Sequence, residues 1–140
     1  MADDDEDDRL MAQRAFKLSR VAMRFVEDGQ ELMDYLRRRG EYGTPGLAPR
    51  PGLILLDLNM PRKDGRQALE EIKSDPSLRM IPVVIMTTSR TDEDIVRAYR
   101  LGANSYITKP VTFPALAEVV KIIGLYWTEI VELPDGRGPA

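Results

Sequence analysis

Apolar positions along this 140-residue chain alternate between short unbroken runs and longer stretches with helical spacing. The clearest run, Leu53 to Leu56, sets four large apolar residues before Asp57, and Pro61 stops it soon after. Such a run predicts a strand buried on both faces, as strands of parallel sheets are. Ile81 to Met86 predicts a second strand, Ser105 to Thr108 a shorter one before Lys109-Pro110, and Val21 to Val26 an early one. Leu10, Met11, Ala15 and Leu18 predict a helix over 8–18, and Leu32, Met33, Tyr35 and Leu36 one over 29–39. Asp64-Gly65 opens a third helix that Asp75-Pro76 ends, and Thr91 to Asp94 cap a fourth that Gly102 closes. Pro114 to Val131 reads as a long final helix, and 43–52 as a Pro/Gly-rich surface loop. Alternation of strands and helices predicts an α/β fold, a doubly wound five-stranded parallel sheet. It forms a single domain over 1–134, with a disordered tail at 135–140. One element is short. A central strand is expected before the acids at Asp3 and Asp4, where only Met1 and Ala2 stand, so the expectation is a truncated first strand, a misplaced start or a stub.

Composition narrows the chemistry. The chain has no cysteine and no histidine, which excludes disulfides, thiolate metal sites, Ser-His triads and His-ligated zinc. Its formal net charge is −3 with the two signs interspersed, so no nucleic-acid footprint is expected. The densest basic cluster, Arg37 to Arg39, reads as the solvated C-terminal end of a helix. No apolar run reaches the roughly 20 residues of a membrane helix, and the acidic N-terminus is unlike a signal peptide. The expected location is therefore cytoplasmic, with no membrane partner.

Asp57 leaves its strand at the C-terminal edge, where open α/β sheets carry out their chemistry. A carboxylate there needs compensation, and Asp3, Asp4, Thr87 and Lys109 stand at the ends of other predicted strands. Clustered carboxylates suit Mg²⁺, a hard cation that prefers oxygen ligands. Lysine and threonine suit the peripheral oxygens of a phosphoryl group in flight. This set points to phosphoryl chemistry on Asp57 as nucleophile.

On Asp3-Asp4, Leu-Leu-Asp-Leu-Asn-Met-Pro, Thr87 and Lys109-Pro110, the chain resembles the receiver domains of two-component response regulators. The resemblance implies a flavodoxin-like sheet, a metal site at Asp3, Asp4, Asp57 and the Asn59 backbone carbonyl, and Asp57 as phosphoacceptor. Asp4 is favoured as the direct acidic ligand. It further implies a switch hydroxyl at Thr87 with Thr88 as its competitor, a switch aromatic at Tyr106, and a cis bond before Pro110. Asn59 and Ser89 would tune dephosphorylation. The same motifs, with Thr87-Thr88-Ser89 and the end from Tyr126 to Pro134, are similar to the stand-alone regulators associated with phytochrome-type kinases. The implied partners are a histidine kinase of that type and a second copy of the chain, joined through the last helix and last strand. Leu116, Val120, Ile123 and Leu125 are the candidate contacts. Such a chain is not an enzyme in the ordinary sense, because it catalyses only its own phosphorylation and dephosphorylation.

Plainer readings compete. Six consecutive acids from Asp3 to Asp8 more often form a solvated tail, and Asp5 to Asp8 are read here as helix-start acids only. Tyr106 more often packs than switches. A phosphatase of the haloacid-dehalogenase type also uses an aspartyl phosphate, but wants a second aspartate where Asn59 stands. A degenerate receiver that binds its partner without phosphorylation is the remaining alternative.

Overall fold

The computed structural model describes residues 1–17 and 21–134. Its sheet has three parallel strands, β1 (Ile54–Leu56), β2 (Val83–Thr87) and β3 (Ser105–Thr108), in that order. Leu55 lies opposite Val84, and Thr87 opposite Thr108. Side chains alternate across the sheet, as a pleated backbone requires. Ile54, Leu56, Val83 and Ile85 enter one core cluster, while Leu55, Val84 and Met86 enter the other.

The second cluster is closed by α1 (Glu6–Phe16) and α5 (Phe113–Leu125), through Ala12, Phe16, Leu116, Val120 and Ile123. Facing the first are α2 (Gly29–Arg37), α3 (Gly65–Ser74) and α4 (Asp92–Arg100), which contribute Met33, Leu69, Ile72 and Ala98. Helices on both faces of a parallel sheet make this the doubly wound α/β fold. Met33, Leu69 and Ile72 are wholly inaccessible, each worth roughly 1.5–3 kcal/mol of burial. Each of the five helices starts on an oxygen-bearing cap: Asp5, Asp28, Asp64, Thr91 and Thr112 accept from backbone amides of the first turn. Gly102, at φ 107°, closes α4 in a conformation that favours glycine.

Among the described residues the expected five strands are not all present. Two of them shrink to isolated parallel bridges, Ala2 with Val26 and Ala2 with Leu56. Pairing along this stretch is confined to the neighbourhood of Ala2, with the Met1 ammonium donating to Arg24 O at 2.8 Å. Ala2 nevertheless holds the central position. Its amide donates to Leu55 O at 2.8 Å, and its carbonyl accepts from the Asp57 amide at 3.0 Å. On the other side, the Asp3 amide donates to Val26 O at 3.1 Å and the Val26 amide to Met1 O at 3.0 Å.

Three further expectations are corrected. The Lys109–Pro110 bond is trans, because no cis peptide bond occurs among the described residues; trans is the favoured isomer of an X–Pro bond. The last helix ends at Leu125 and passes into a wider turn, Tyr126–Ile130, marked by the Val131 amide donating to Tyr126 O at 2.8 Å. Of the four apolar residues expected on its outer side, Leu116, Val120 and Ile123 are core, and Leu125 alone is exposed, joined outside by Ile122, Tyr126 and Ile130. The arginine cluster lies exposed at the C-terminal end of α2, as expected, and its side chains have partners there: Arg37 pairs with Glu71 and Asp75, Arg39 pairs with Asp34, and Arg38 donates to Ala48 O. That last hydrogen bond, with Tyr35 Oη to Pro49 O at 2.8 Å and Arg50 to Ser77 O at 2.6 Å, pins the 43–52 loop. Leu18 of the expected first helix and the expected tail at 135–140 lie outside the described residues.

Candidate functional site

Asp57 follows the last residue of β1, Thr87 ends β2, Lys109 follows β3, and Asp3 and Asp4 follow the bridging Ala2. All therefore leave the same edge of the sheet, and the structure brings them together. Carboxylate oxygens of Asp3, Asp4 and Asp57 lie within 4.8 Å of one another. Lys109 Nζ is 2.7 Å from Asp3 Oδ2, 3.0 Å from Asp57 Oδ2 and 2.8 Å from Asp8 Oδ2. Asp3, Asp57, Thr87 and Lys109 are buried, whereas Asp4 is exposed at the rim.

The backbone around Asp57 is fixed by a close approach. An added Cβ at Gly65 would lie 2.0 Å from Asp57 O and 2.8 Å from Leu58 Cα, so only glycine fits there. The Gly65 amide donates to Leu58 O at 2.8 Å, and a reciprocal capping box between Asp64 and Gln67 sets the start of α3 beside it. On the carboxylate, Oδ1 accepts from the Asn59 amide at 3.3 Å and Oδ2 from Lys109. Asn59 thus joins the site through its amide.

One ammonium cannot neutralise this many carboxylates. Burial pushes the Asp3 carboxyl up to about 6, against the pull of Lys109 and the Asp5 amide. Burial would lower the Lys109 pKa, but its bonds to Asp3 and Asp8 outweigh that and raise it. Both partners move up, Lys109 because it gains several anions and Asp3 because its burial outweighs the pull of the lysine.

Among the described residues, two buried side-chain oxygens have no hydrogen-bond partner, Asp3 Oδ2 and Thr87 Oγ1. Asp3 Oδ2 faces the Lys109 ammonium at 2.7 Å as an ion pair outside hydrogen-bond alignment. A buried carboxylate oxygen so placed, within an all-oxygen set of three acids, fits a hard divalent cation. The Thr87 hydroxyl is left as an unused donor at the same edge.

The other predicted residues fall nearby with different roles. Thr88 is exposed, beside the buried Thr87. Ser89 donates its hydroxyl to Asp94 Oδ2, whose other oxygen accepts from Arg66 at 2.7 Å. Tyr106 is half-buried, and its hydroxyl donates to Ser89 O at 3.0 Å, tying the ring to the loop after Thr87. Pro110 simply follows the lysine. Asp8, expected only to start its helix, reaches Lys109. The one signal for this in the sequence is its place one turn beyond the acid pair. A cleft of about 1020 Å³ lined by Tyr35, Arg38, Pro49, Ser77 and Leu133 contains none of these groups. No helix among the described residues is long and apolar enough to cross a membrane.

The model of the response regulator receiver domain matches residues 1–121. The response regulator Rcp1 of Synechocystis sp. is 40% identical over 136 residues, which span 96% of this chain and 90% of Rcp1. The phosphorylated cyanobacterial phytochrome response regulator RcpA superposes with a TM-score of 0.90 at 46% identity, covering 95% of this chain and 94% of that one. The Mn²⁺-bound form of Rcp1 superposes with a TM-score of 0.86 at 41% identity, covering 95% of each chain. With the acid cluster, Asp57 and Lys109 assembled at one sheet edge, these matches show that the chain belongs to the response regulator receiver domain family.

Proposed function

We propose that this chain accepts a phosphoryl group from a histidine kinase onto Asp57, with Mg²⁺ held by Asp3, Asp4, Asp57 and the Asn59 carbonyl. The observation that carries the reading is the contact of Lys109 Nζ with Asp57 Oδ2 at 3.0 Å, inside a group of three acids that fits a divalent cation. Bound there, Mg²⁺ supplies neutralising charge to the acceptor carboxylate and the phosphoryl oxygens. An Asp57 carboxylate oxygen attacks phosphorus. The new O–P bond forms as the P–N bond to the kinase imidazole breaks, and the imidazole nitrogen keeps the electron pair and takes a proton from solvent. Lys109 offers its charge to one phosphoryl oxygen, and the Thr87 hydroxyl donates to another.

Burial of Thr87 Oγ1 without a partner supports its role as the switch, because a phosphoryl oxygen gives it the acceptor it lacks. Its movement makes room for Tyr106 and shifts the face formed by α4 and β3. Ser89 and the Asn59 side chain set water access for the return reaction. Similarity to RcpA, a cyanobacterial phytochrome response regulator, supports a phytochrome-type kinase as the donor. The exposed Ile122, Leu125, Tyr126 and Ile130 support a second copy as the partner on the last helix. Intact mass after incubation with acetyl phosphate and Mg²⁺ tests the central step. One added phosphoryl group in the wild type and none in Asp57→Asn is expected; an unlabelled, folded wild type overturns it.

A further inference from the structure

Lys109 has three carboxylate neighbours, and they are not equivalent. Asp3 and Asp57 belong to the group whose oxygens converge within 4.8 Å, whereas Asp8 does not. Asp8 lies in the first turn of α1, its amide held by Asp5 Oδ1 at 3.2 Å. The next residue, Arg9, donates to Asp3 O at 2.7 Å, so this turn is clamped to the strand end that carries the acids. Asp8 Oδ2 accepts a hydrogen bond from Lys109 at 2.8 Å, with the carboxylate 18% exposed and the lysine side chain 6%. A well-aligned, largely buried contact across 101 residues of chain is more than a helix-start acid needs.

A cation held by Asp3, Asp4 and Asp57 draws on oxygens that now face the ammonium, and it repels the ammonium as well. Asp8 is the neighbour that such a cation leaves to the lysine. A lysine on a flexible four-carbon stem needs a fixed partner to stay over the acceptor. We propose that Asp8 is the positioning residue for Lys109, anchoring its ammonium beside Asp57 when the other acids are committed to the cation. This rests on Asp57 being the phosphoacceptor. The effect of Asp8 is then transmitted wholly through Lys109.

The test is a cycle of wild type, Asp8→Asn, Lys109→Ala and the double variant, each confirmed as folded by its melting curve. Labelling rate with acetyl phosphate at saturating Mg²⁺ is followed by intact mass, and Mg²⁺ affinity by calorimetry. Asp8→Asn is expected to slow labelling about tenfold when Lys109 is present. In the Lys109→Ala background the same change should slow it less than about twofold, a coupling of ordinary size for groups in contact. Asp8→Glu should recover part of the rate, and Mg²⁺ affinity should hardly move. Equal slowing in both backgrounds, or none in either, overturns the proposal. A second readout is independent of labelling: the ¹⁵N ammonium signal of Lys109 in the Mg²⁺-loaded protein should persist in the wild type and be lost in Asp8→Asn. Its persistence in the variant also overturns the anchor. A wild type that takes no phosphoryl group defeats the phosphoacceptor reading instead, while the ammonium signal still judges Asp8.

Discussion

The amide of Lys109 donates to the carbonyl of Thr87 at 2.7 Å, so the lysine and the buried hydroxyl leave neighbouring strand ends at a fixed spacing. The hydroxyl itself has no partner. An unsatisfied buried hydroxyl costs about 1–3 kcal/mol, and valine matches its shape within a strand that already favours β-branched residues. Thr87→Val is therefore expected to stabilise the unphosphorylated protein by about 1 kcal/mol in urea unfolding. A loss of stability instead would mean that the hydroxyl is bonded after all.

Lys109→Ala removes the cation from a cluster of buried acids. In the absence of Mg²⁺ the variant is expected to lose about 3 kcal/mol, the usual cost of orphaning buried charges. Added Mg²⁺ should return more stability to it than to the wild type, since a ligand that binds only the folded state stabilises by mass action. Melting curves with and without the ion measure this. An equal gain in both proteins would separate the lysine from the acid site.

Gly65→Ala forces a methyl group into the Asp57 carbonyl. Because the obstacle is backbone, it cannot yield as a side chain would, and a cost at or above the roughly 1–3 kcal/mol of ordinary overpacking is expected. Asp57 should move with it, so, with Asp57 as the proposed phosphoacceptor, labelling by acetyl phosphate should fall as well. An alanine variant as stable and as reactive as the parent would show that α3 can shift freely.

Asp28 supplies the pH test. It caps α2 by accepting from the Glu31 amide at 2.8 Å and pairs with Arg62 at 2.8 Å. Burial alone would raise its pKa, but the Arg62 guanidinium and the Glu31 amide outweigh that and hold it below the usual carboxylate range. A depressed folded pKa contributes stability above the unfolded value of about 3.9, and that contribution is lost as pH falls through the folded value. Asp28→Asn keeps an amide-accepting oxygen but loses the charge. The stability gap between wild type and variant is therefore expected to be full at pH 7 and to close below about pH 4. A gap unchanged down to pH 3 would assign the effect to the cap alone. Asp3 acts with the opposite sign, its raised pKa making the metal-free protein less stable as pH climbs towards about 6.

Much of the site is legible in the sequence because its main groups follow unbroken apolar runs: Asp57 after β1, Thr87 at the end of β2 and Lys109 after β3. A parallel sheet sends all such ends to one edge. Asp8 is not legible, since its role depends on how α1 lies against a strand end 101 residues away, which no local pattern encodes. Nor is the outer face of α5. That helix is apolar nearly all round, so periodicity alone does not separate the buried Val120 and Ile123 from the exposed Ile122 and Leu125. The strand expected at 21–26 is reduced to the bridge of Val26 with Ala2, a pairing across more than 20 residues that no local pattern encodes.

Ala2 sits between two parallel neighbours as a single residue, and that makes it an address label for the acids behind it. Successive residues of an extended segment face opposite sides, so a shift of one position exchanges their surroundings. Here the hydrogen bonds of Ala2, with those linking Val26 to Met1 and Asp3, decide that Asp3 is buried against Lys109 and Asp4 stands at the rim. Inserting or deleting one residue at this point would leave the run of acids intact in composition. It would nevertheless deliver the wrong carboxylate to each berth, so which acid is buried against Lys109 is a property of register and not of the acidic run itself.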